Sequence, residues 1–243
     1  MATIMLNRPD RMNAFNQTML DEMQAAWKTV REDVEIRAVV LRAAEGRAFC
    51  TGVDVIEIFD TYRQEPFREL DPGQVLGPKS NLVWKPIVVA IHGMCAGGGF
   101  YFINEADIII CSDDAQFFDP HVSYGLVPAC EPVGVSHRMP YGEIMRMILL
   151  GNDERIGAET ALRINLVSEI TTHDRLWERA HSLAAAIARK PATATQGAVK
   201  AMWESLDLPH TAAVRGAYKY IQVGNPVAEL DRSQVARTKA EIR

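Results

Sequence analysis

Short apolar runs rich in β-branched residues recur along the first part of the chain, with helix-like or irregular segments between them. These runs predict β-strands at residues 2–6, 36–41, 87–91, 107–111 and 166–170. After the first run, residues 17–31 place apolar side chains at three- and four-residue spacing, which predicts a helix with one buried face. Strands that alternate with helices in this way are typical of an α/β fold.

From Asp174 onward the apolar periodicity is entirely helical. It predicts helices over residues 176–189, 192–206, 211–223 and 227–243. Pro191, Pro209 and Pro226 stand where the last three helices begin, because proline suits the first turn of a helix. We therefore predict two regions, residues 1–173 as the α/β core and residues 174–243 as a helical region.

The composition argues against several classes of function. The 243 residues carry a net charge of −5 and no long basic run, so we expect neither nucleic acid nor a membrane as partner. No apolar run is long enough to cross a bilayer, and no secretory signal is expected. Cys50, Cys95, Cys111 and Cys130 form no C-x-x-C pair, and the histidines lack metal-ligand spacing. We expect reduced thiols, a cytoplasmic location and no metal.

Three consecutive glycines, Gly97, Gly98 and Gly99, lie between the strand at residues 87–91 and the apolar run at residues 100–103. This arrangement predicts a strand that leads into a helix through backbone without side chains. The free N–H groups of a first helical turn, together with the helix dipole, favour negative charge on an approaching oxygen. The glycines alone are equally consistent with tight packing of a helix against a strand.

The segment at residues 48–54, AFCTGVD, follows another apolar strand. With the glycine run, it resembles the enoyl-CoA hydratase/isomerase family, also called the crotonase superfamily. The similarity covers nearly the whole chain, through motifs at residues 4–9, 12–15, 48–54, 85–99, 107–108, 115–117, 125–128, 149–151 and 165–167. It implies an α/β, crotonase-like ββα spiral with a C-terminal helical trimerisation domain. It also implies an acyl-CoA substrate, no cofactor other than that coenzyme A, and a homotrimer or dimer of trimers.

Two backbone N–H groups are the expected oxyanion hole. In the family these donors follow the glycine of the first loop and lie at the middle glycine of the second, which are Val53 and Gly98 here. Such donors each stabilise the developing charge on a thioester oxygen by about 3–4 kcal/mol. The alternative for Val53 is an ordinary core valine.

The resemblance also places the adenine and phosphate end of coenzyme A along Arg11, Ala14, Ala48 and Asp54. Arg11 is suited to a phosphate because a guanidinium forms charge-assisted hydrogen bonds. The alternative is that Arg11 is a solvated surface arginine in a mixed charge cluster.

The chain departs from the family at the two glutamates that act as acid and base in hydratases. Tyr101 occupies the first position and His121 the second, so both hydratase glutamates are replaced. His121 titrates near neutrality, and Asp119 could orient its imidazole. Glu131 offers a nearby carboxylate. With Pro132 as the first helical residue it is the expected N-cap, and it either takes part in proton transfer or faces the helix end from the surface.

Three functions therefore remain open. The first is an acyl-CoA lyase or isomerase that uses the Val53/Gly98 oxyanion hole with His121, Glu131 or Tyr101 for proton transfer. The second is a hydrolase of a carbon–carbon bond or thioester, in which His121 activates water. The third is a non-catalytic acyl-CoA-binding protein. We favour the first, because ligand-facing glycines are retained beside new titratable groups.

The acyl pocket is the part least defined by the sequence. Residues 61–80 are rich in proline, glycine and charge, which predicts a variable, mobile excursion over the site. Ile58, Phe59, Leu82 and Trp84 suggest an apolar or aromatic lining.

Overall fold

The structure is a computed structural model that describes residues 1–58 and 71–225. Its strands are β1 (Ala2–Leu6), β2 (Val39–Ala43), β3 (Ala48–Cys50), β4 (Ile87–Ile91), β5 (Met94–Ala96), β6 (Ile108–Ser112), β7 (Gln116–Phe118), β8 (Ile156–Gly157) and β9 (Glu169–Thr171). They form a five-stranded parallel sheet, β1-β2-β4-β6-β9, and a four-stranded sheet, β3-β5-β7-β8. In the second sheet only β8 pairs antiparallel.

The helices are α1 (Gln17–Glu32), α2 (Val55–Ile58), α3 (Tyr101–Asn104), α4 (Cys130–Val135), α5 (Tyr141–Leu150), α6 (Ala158–Arg163), α7 (Leu176–Ala188), α8 (Ala192–Glu204) and α9 (His210–Gly224). Three times in succession, a strand of the large sheet is followed by a strand of the small sheet and then by a helix. The repeated units are β2-β3-α2, β4-β5-α3 and β6-β7-α4. The α/β class and the ββα spiral are therefore as predicted.

The central strands of the large sheet, β2, β4 and β6, are buried on both faces, which explains their largely apolar sequences. Val89 of β4 packs on the main core with α1, whereas Val88 packs on the other face against α7. Because successive side chains point to opposite sides of a strand, no alternation with polar residues appears. The main core lies between the large sheet, α1 and the small sheet.

Three strands begin later than predicted, each because a backbone group has another partner. Ile36 N–H closes a turn onto Asp33, so β2 starts later than residue 36. The Asp107 carboxylate accepts the Ile87 N–H at 2.7 Å, and β6 starts at the next residue. Leu166 N–H donates to a helical carbonyl of α6, so β9 covers residues 169–171 alone.

The division of the chain also differs from the predicted one. The described residues form two compact units, residues 1–189 and residues 190–225. The predicted boundary at residue 173 falls too early because Leu176, Ala180 and Ala184 of α7 pack on the large sheet. In the second unit α8 contacts α9, and Lys219 Nζ pairs with Glu204 Oε2 at 2.7 Å.

Two predicted segments lie partly or wholly outside the described residues. The predicted helix at residues 227–243 lies wholly outside them, and the predicted excursion lies outside them at residues 61–70. Phe59, predicted to line the acyl pocket, also lies outside them. Residues 71–80 pack on the main core through Leu76, which is fully buried and whose carbonyl accepts the Trp27 indole N–H at 2.8 Å. Among the helices in the described ranges, none has the length and apolarity to cross a membrane.

Candidate active site

The first predicted oxyanion loop leaves β3 at Cys50. Phe15 N–H donates to Gly52 O, and Asp54 N–H donates to Phe15 O, both at 2.8 Å. These two bonds bracket Val53, which forms a parallel bridge with Phe15. In such a bridge, the N–H of the bracketed residue points away from the partner strand. Among the described residues the Val53 N–H has no acceptor, so it is free for a ligand.

The second predicted loop leaves β5 at Ala96. Gly97 to Phe100 form a 3₁₀ turn that continues into α3. Gly98 is the second residue of this helical segment, so its N–H has no partner inside the helix. The structure therefore contains the predicted turn from strand to helix, and Gly98 offers a free donor at its N-terminal end.

The two loops touch each other at their glycines. A Cβ atom built on Gly52 would lie 3.0 Å from Gly98 N, and one built on Gly98 would lie 3.2 Å from Gly52 Cα. Gly52 also has a φ of +95°, which disfavours any side chain. Bare backbone at both positions lets the loops approach, so the N–H groups of Val53 and Gly98 lie on neighbouring segments.

His121 lies next to the glycine run. A Cβ on Gly97 would lie 3.5 Å from His121 Cε1. The imidazole Nδ1 is 2.7 Å from Asp119 Oδ1, and the same oxygen accepts the His121 N–H at 3.0 Å. Asp119 is fully buried. The predicted orientation of His121 by Asp119 is therefore present, and the Asp119 carboxylate directs Nε2 of the ring to the opposite side.

Glu131 is the group that Nε2 faces, with Nε2 and Oε1 3.8 Å apart. The prediction that Glu131 caps α4 is wrong, because Ala129 is the N-cap and Glu131 lies inside the first turn. The alternative of a surface position is also wrong, since Glu131 is 8% exposed. Burial raises the pKa of Glu131, whereas the hydrogen bond to Asp119 raises the pKa of His121.

Tyr101 is buried at the start of α3, with its ring against the backbone of Gly73. Burial raises the pKa of Tyr101, and repulsion from Glu131 and a hydrogen bond to Asp71 raise it further. Its hydroxyl therefore stays protonated at neutral pH, as a donor rather than a base. Asp71 is a carboxylate that the sequence reasoning missed, because it stands in a segment without periodicity or a motif.

The predicted coenzyme A residues divide into two groups. Ala48 is buried, and its carbonyl accepts the Asn13 side-chain N–H at 2.8 Å. Asp54 is also buried, pairs with Arg8 at 3.1 Å and accepts N–H groups from the first turn of α2. Ala14 is buried, and its carbonyl accepts an Arg8 N–H at 2.6 Å. These residues shape the loop, whereas Arg11 is exposed and forms no ion pair with the described residues.

A separate cavity of about 620 Å³ lies beyond the carboxyl ends of the large sheet. Its lining includes Glu45, Asp113, His173 and Trp177, and none of the predicted site residues. His173 Nε2 is 2.9 Å from Glu45. Within the described ranges, no group of three or more His, Cys, Asp or Glu side chains is arranged to hold a metal ion.

Comparison with known proteins identifies the family. The family model described as enoyl-CoA hydratase/isomerase matches residues 1–225. The chain is 32% identical to (E)-benzylidenesuccinyl-CoA hydratase of Thauera aromatica, over 86% of this chain and 80% of that protein. It is 29% identical to carnitinyl-CoA dehydratase of Escherichia coli strain K12, over 91% and 82% of the two chains.

A solved structure shows the same fold. The enoyl-CoA hydratase/isomerase from Mycobacterium paratuberculosis superposes with a TM-score of 0.81 at 36% identity, covering 98% of this chain and 87% of that one. The fold and the family match together define a crotonase-type enzyme of acyl-CoA chemistry. The chain belongs to the enoyl-CoA hydratase/isomerase family.

We expect Asp119→Asn to lower the pKa of His121, because the amide removes the charge and hydrogen bond that raise it. A raised folded-state pKa stabilises the fold below about pH 6.5, and this contribution is lost as pH rises through the folded value. The stability deficit of Asp119→Asn should therefore be larger at pH 6 than at pH 9. Histidine NMR titration and denaturant unfolding measure the two effects. His173, which faces Glu45 and Asp114, is the internal control and should titrate unchanged.

Proposed function

We propose that the chain catalyses enoyl-CoA hydratase/isomerase-like lyase chemistry on an acyl-CoA thioester. The thioester oxygen accepts the N–H groups of Val53 and Gly98, and proton transfer runs through His121 and Glu131. The observation that carries the proposal is the placement of an Asp119-oriented imidazole, with Glu131 on its far side, directly beside the glycine run.

In this mechanism water adds to Cβ of a 2-enoyl thioester while Cα gains a proton. One member of the His121/Glu131 pair accepts the proton of the attacking water, and the C=C electrons move onto the thioester oxygen. The two backbone donors stabilise that negative charge. The other member of the pair, or water exchanged with it, then supplies the proton to Cα. Burial raises the pKa of Glu131, and the hydrogen bond to Asp119 raises the pKa of His121. Because the two side chains lie 3.8 Å apart, the proton of one affects the titration of the other.

The relatives support this class of reaction. Their names describe hydratases and a dehydratase of acyl-CoA thioesters, so addition or removal of water is the chemistry to test first. Coenzyme A enters as part of the substrate, with Arg11 as the exposed cation for a phosphate group. We propose no further cofactor.

A hydrolase is the second candidate, and the Asp119–His121 hydrogen bond favours it. A carboxylate that fixes one ring nitrogen leaves the other to activate water against a carbonyl. The oxyanion hole would then stabilise a tetrahedral oxyanion instead of an enolate.

The test combines binding and product analysis. Calorimetry with acetyl-, crotonyl- and an aromatic enoyl-CoA should show binding, and its absence for all three would reject the proposal. Incubation with each enoyl-CoA separates the candidates, because a hydratase forms a 3-hydroxyacyl-CoA whereas a thioester hydrolase releases free coenzyme A thiol. Binding with neither product after prolonged incubation would point to a non-catalytic acyl-CoA-binding protein.

We also propose a homotrimer or a dimer of trimers. Val214, Tyr218 and Ile221 recur along α9 at helical spacing and are each more than half exposed in the single chain. We expect light scattering at micromolar concentration to give a multiple of three chains, and Val214→Glu with Ile221→Glu to dissociate them. Arg215→Glu, on the same helix, is the control for added negative charge. A wild-type mass of 27 kDa would contradict the prediction.

A further inference from the structure

Phe15 contacts both loops of the oxyanion hole, one through its backbone and the other through its ring. Its N–H and C=O bond to Gly52 O and Asp54 N at 2.8 Å, on either side of Val53. The bond to Gly52 O holds the peptide that carries the Val53 N–H, because Gly52 O and Val53 N belong to one planar peptide group, and the bond from Asp54 N holds the next peptide.

The ring of Phe15 lies on the second loop. A Cβ atom built on Gly98 would lie 2.9 Å from Cε1 and 3.1 Å from Cζ of Phe15. The ring edge therefore occupies the space that a side chain at position 98 would need. Phe15 is 2% exposed, so the ring is enclosed on its other sides as well.

Further aromatic contacts hold this ring in place. Phe102 of α3 meets Phe15 edge to face, with ring centroids 6.2 Å apart. Phe102 makes a second edge-to-face contact, also at 6.2 Å, with Phe49 of β3. The three rings connect the strand before the first loop to the helix after the second. Such contacts in a close-packed core leave the ring of Phe15 little freedom to move.

We propose that Phe15 is a positioning residue that sets the separation and direction of the two N–H donors of the oxyanion hole. The inference rests on the proposed function of that hole. An oxyanion is stabilised only when both donors are held at hydrogen-bond distance from its developed position, so a loosened Phe15 weakens catalysis more than ground-state binding.

The test replaces Phe15 with leucine, which keeps the backbone bonds and the apolar character but removes the ring edge from Gly98. Phe117→Leu is the matched control, because Phe117 is also fully buried in the main core, on β7. We expect Phe15→Leu to lower kcat about tenfold or more with KM changed less than about threefold. Phe117→Leu should lower the melting temperature similarly and leave kcat within about twofold.

Two spectroscopic readouts separate positioning from stability. An aromatic enoyl-CoA bound to the wild type should absorb at longer wavelength, because the hole polarises its carbonyl, and this shift should fall by about half or more in Phe15→Leu alone. Without substrate, the amide resonances of Gly98 and Val53 should move in Phe15→Leu and stay in Phe117→Leu, since the Phe15 ring lies against Gly98 and the backbone hydrogen bonds of the same residue lie on either side of Val53.

The outcomes distinguish this inference from the proposed function. Unchanged amide resonances at Gly98 and Val53 in Phe15→Leu would overturn the positioning role, and so would equal losses of kcat in the two leucine variants. If the amide resonances move but no thioester band shifts even in the wild type, Phe15 still positions the two groups. In that case the assignment of those groups to a thioester oxygen fails instead.

Discussion

Gly98→Pro is expected to lower kcat by about 10²–10³-fold, because it deletes one of the two N–H donors that face the developing oxyanion. Gly98 is the second residue of its helical segment, so its N–H supports no bond within the helix. Proline is tolerated in the first helical turn for the same reason. The loss should therefore fall on catalysis rather than on the continuation of α3.

Gly98→Ala is the matched control for the added side chain. Alanine keeps the N–H but brings in a Cβ at 2.9 Å from the Phe15 ring and 3.2 Å from Gly52 Cα, as proline does. The difference in kcat between Gly98→Pro and Gly98→Ala therefore measures the contribution of the Gly98 N–H to catalysis. Thermal unfolding of both variants measures the shared steric cost. Equal activity of Gly98→Pro and Gly98→Ala would show that the Gly98 N–H is not part of the oxyanion hole.

The sequence predicted the central strands of the large sheet well, because β2, β4 and β6 are buried on both faces and consist largely of apolar residues. The strands of the small sheet were missed, since β3, β5 and β7 contain three residues each and β8 contains two. Runs this short carry no periodicity that separates a strand from a loop. They form because each follows a strand of the large sheet, so that β3, β5 and β7 lie side by side and pair in parallel, with a register shift between Ala48 and Cys50.

For the candidate site, the sequence predicted contacts between residues that are close along the chain, but not contacts between residues that are distant along it. Asp119 and His121 are two residues apart, so their pairing could be predicted from the sequence. The interpretation of Glu131 as a helix cap was wrong because Pro132 is not the first residue of α4. Asp71 and Phe15 reach the site only through tertiary packing, and neither the glycine motif nor the charge pattern points to them.

We expect His121→Ala and Glu131→Gln each to lower kcat by about 10²–10⁴-fold, the usual contribution of a positioned acid or base. The two side chains face each other at 3.8 Å, so their separate losses should not add in the double variant. Tyr101→Phe should cost less, because the raised pKa of Tyr101 keeps its hydroxyl protonated. His173→Ala is the control, since this imidazole also contacts carboxylates but borders the separate cavity.

The pH dependence of kcat/KM provides a second measurement of the same pair. The pKa values of His121 and Glu131 are both raised, and the two groups titrate as a coupled pair. We therefore expect kcat/KM to fall at both low and high pH, with apparent pKa values that belong to the pair rather than to either residue. Glu131→Gln should remove one limb of that profile, whereas His173→Ala should keep both. A fully active His121→Ala enzyme would exclude His121 from the mechanism.

Crotonyl-CoA provides the sharpest comparison with relatives that carry two glutamates. Tyr101 supplies a protonated hydroxyl where those enzymes have a carboxylate, so we expect hydration of crotonyl-CoA to be slow or absent under the same conditions. Tyr101→Glu with His121→Glu should raise the rate if the pocket accepts two carboxylates beside Glu131. Fast hydration of crotonyl-CoA by the unmodified protein would contradict this expectation, because it would show that the replacement of both hydratase glutamates does not limit the addition of water.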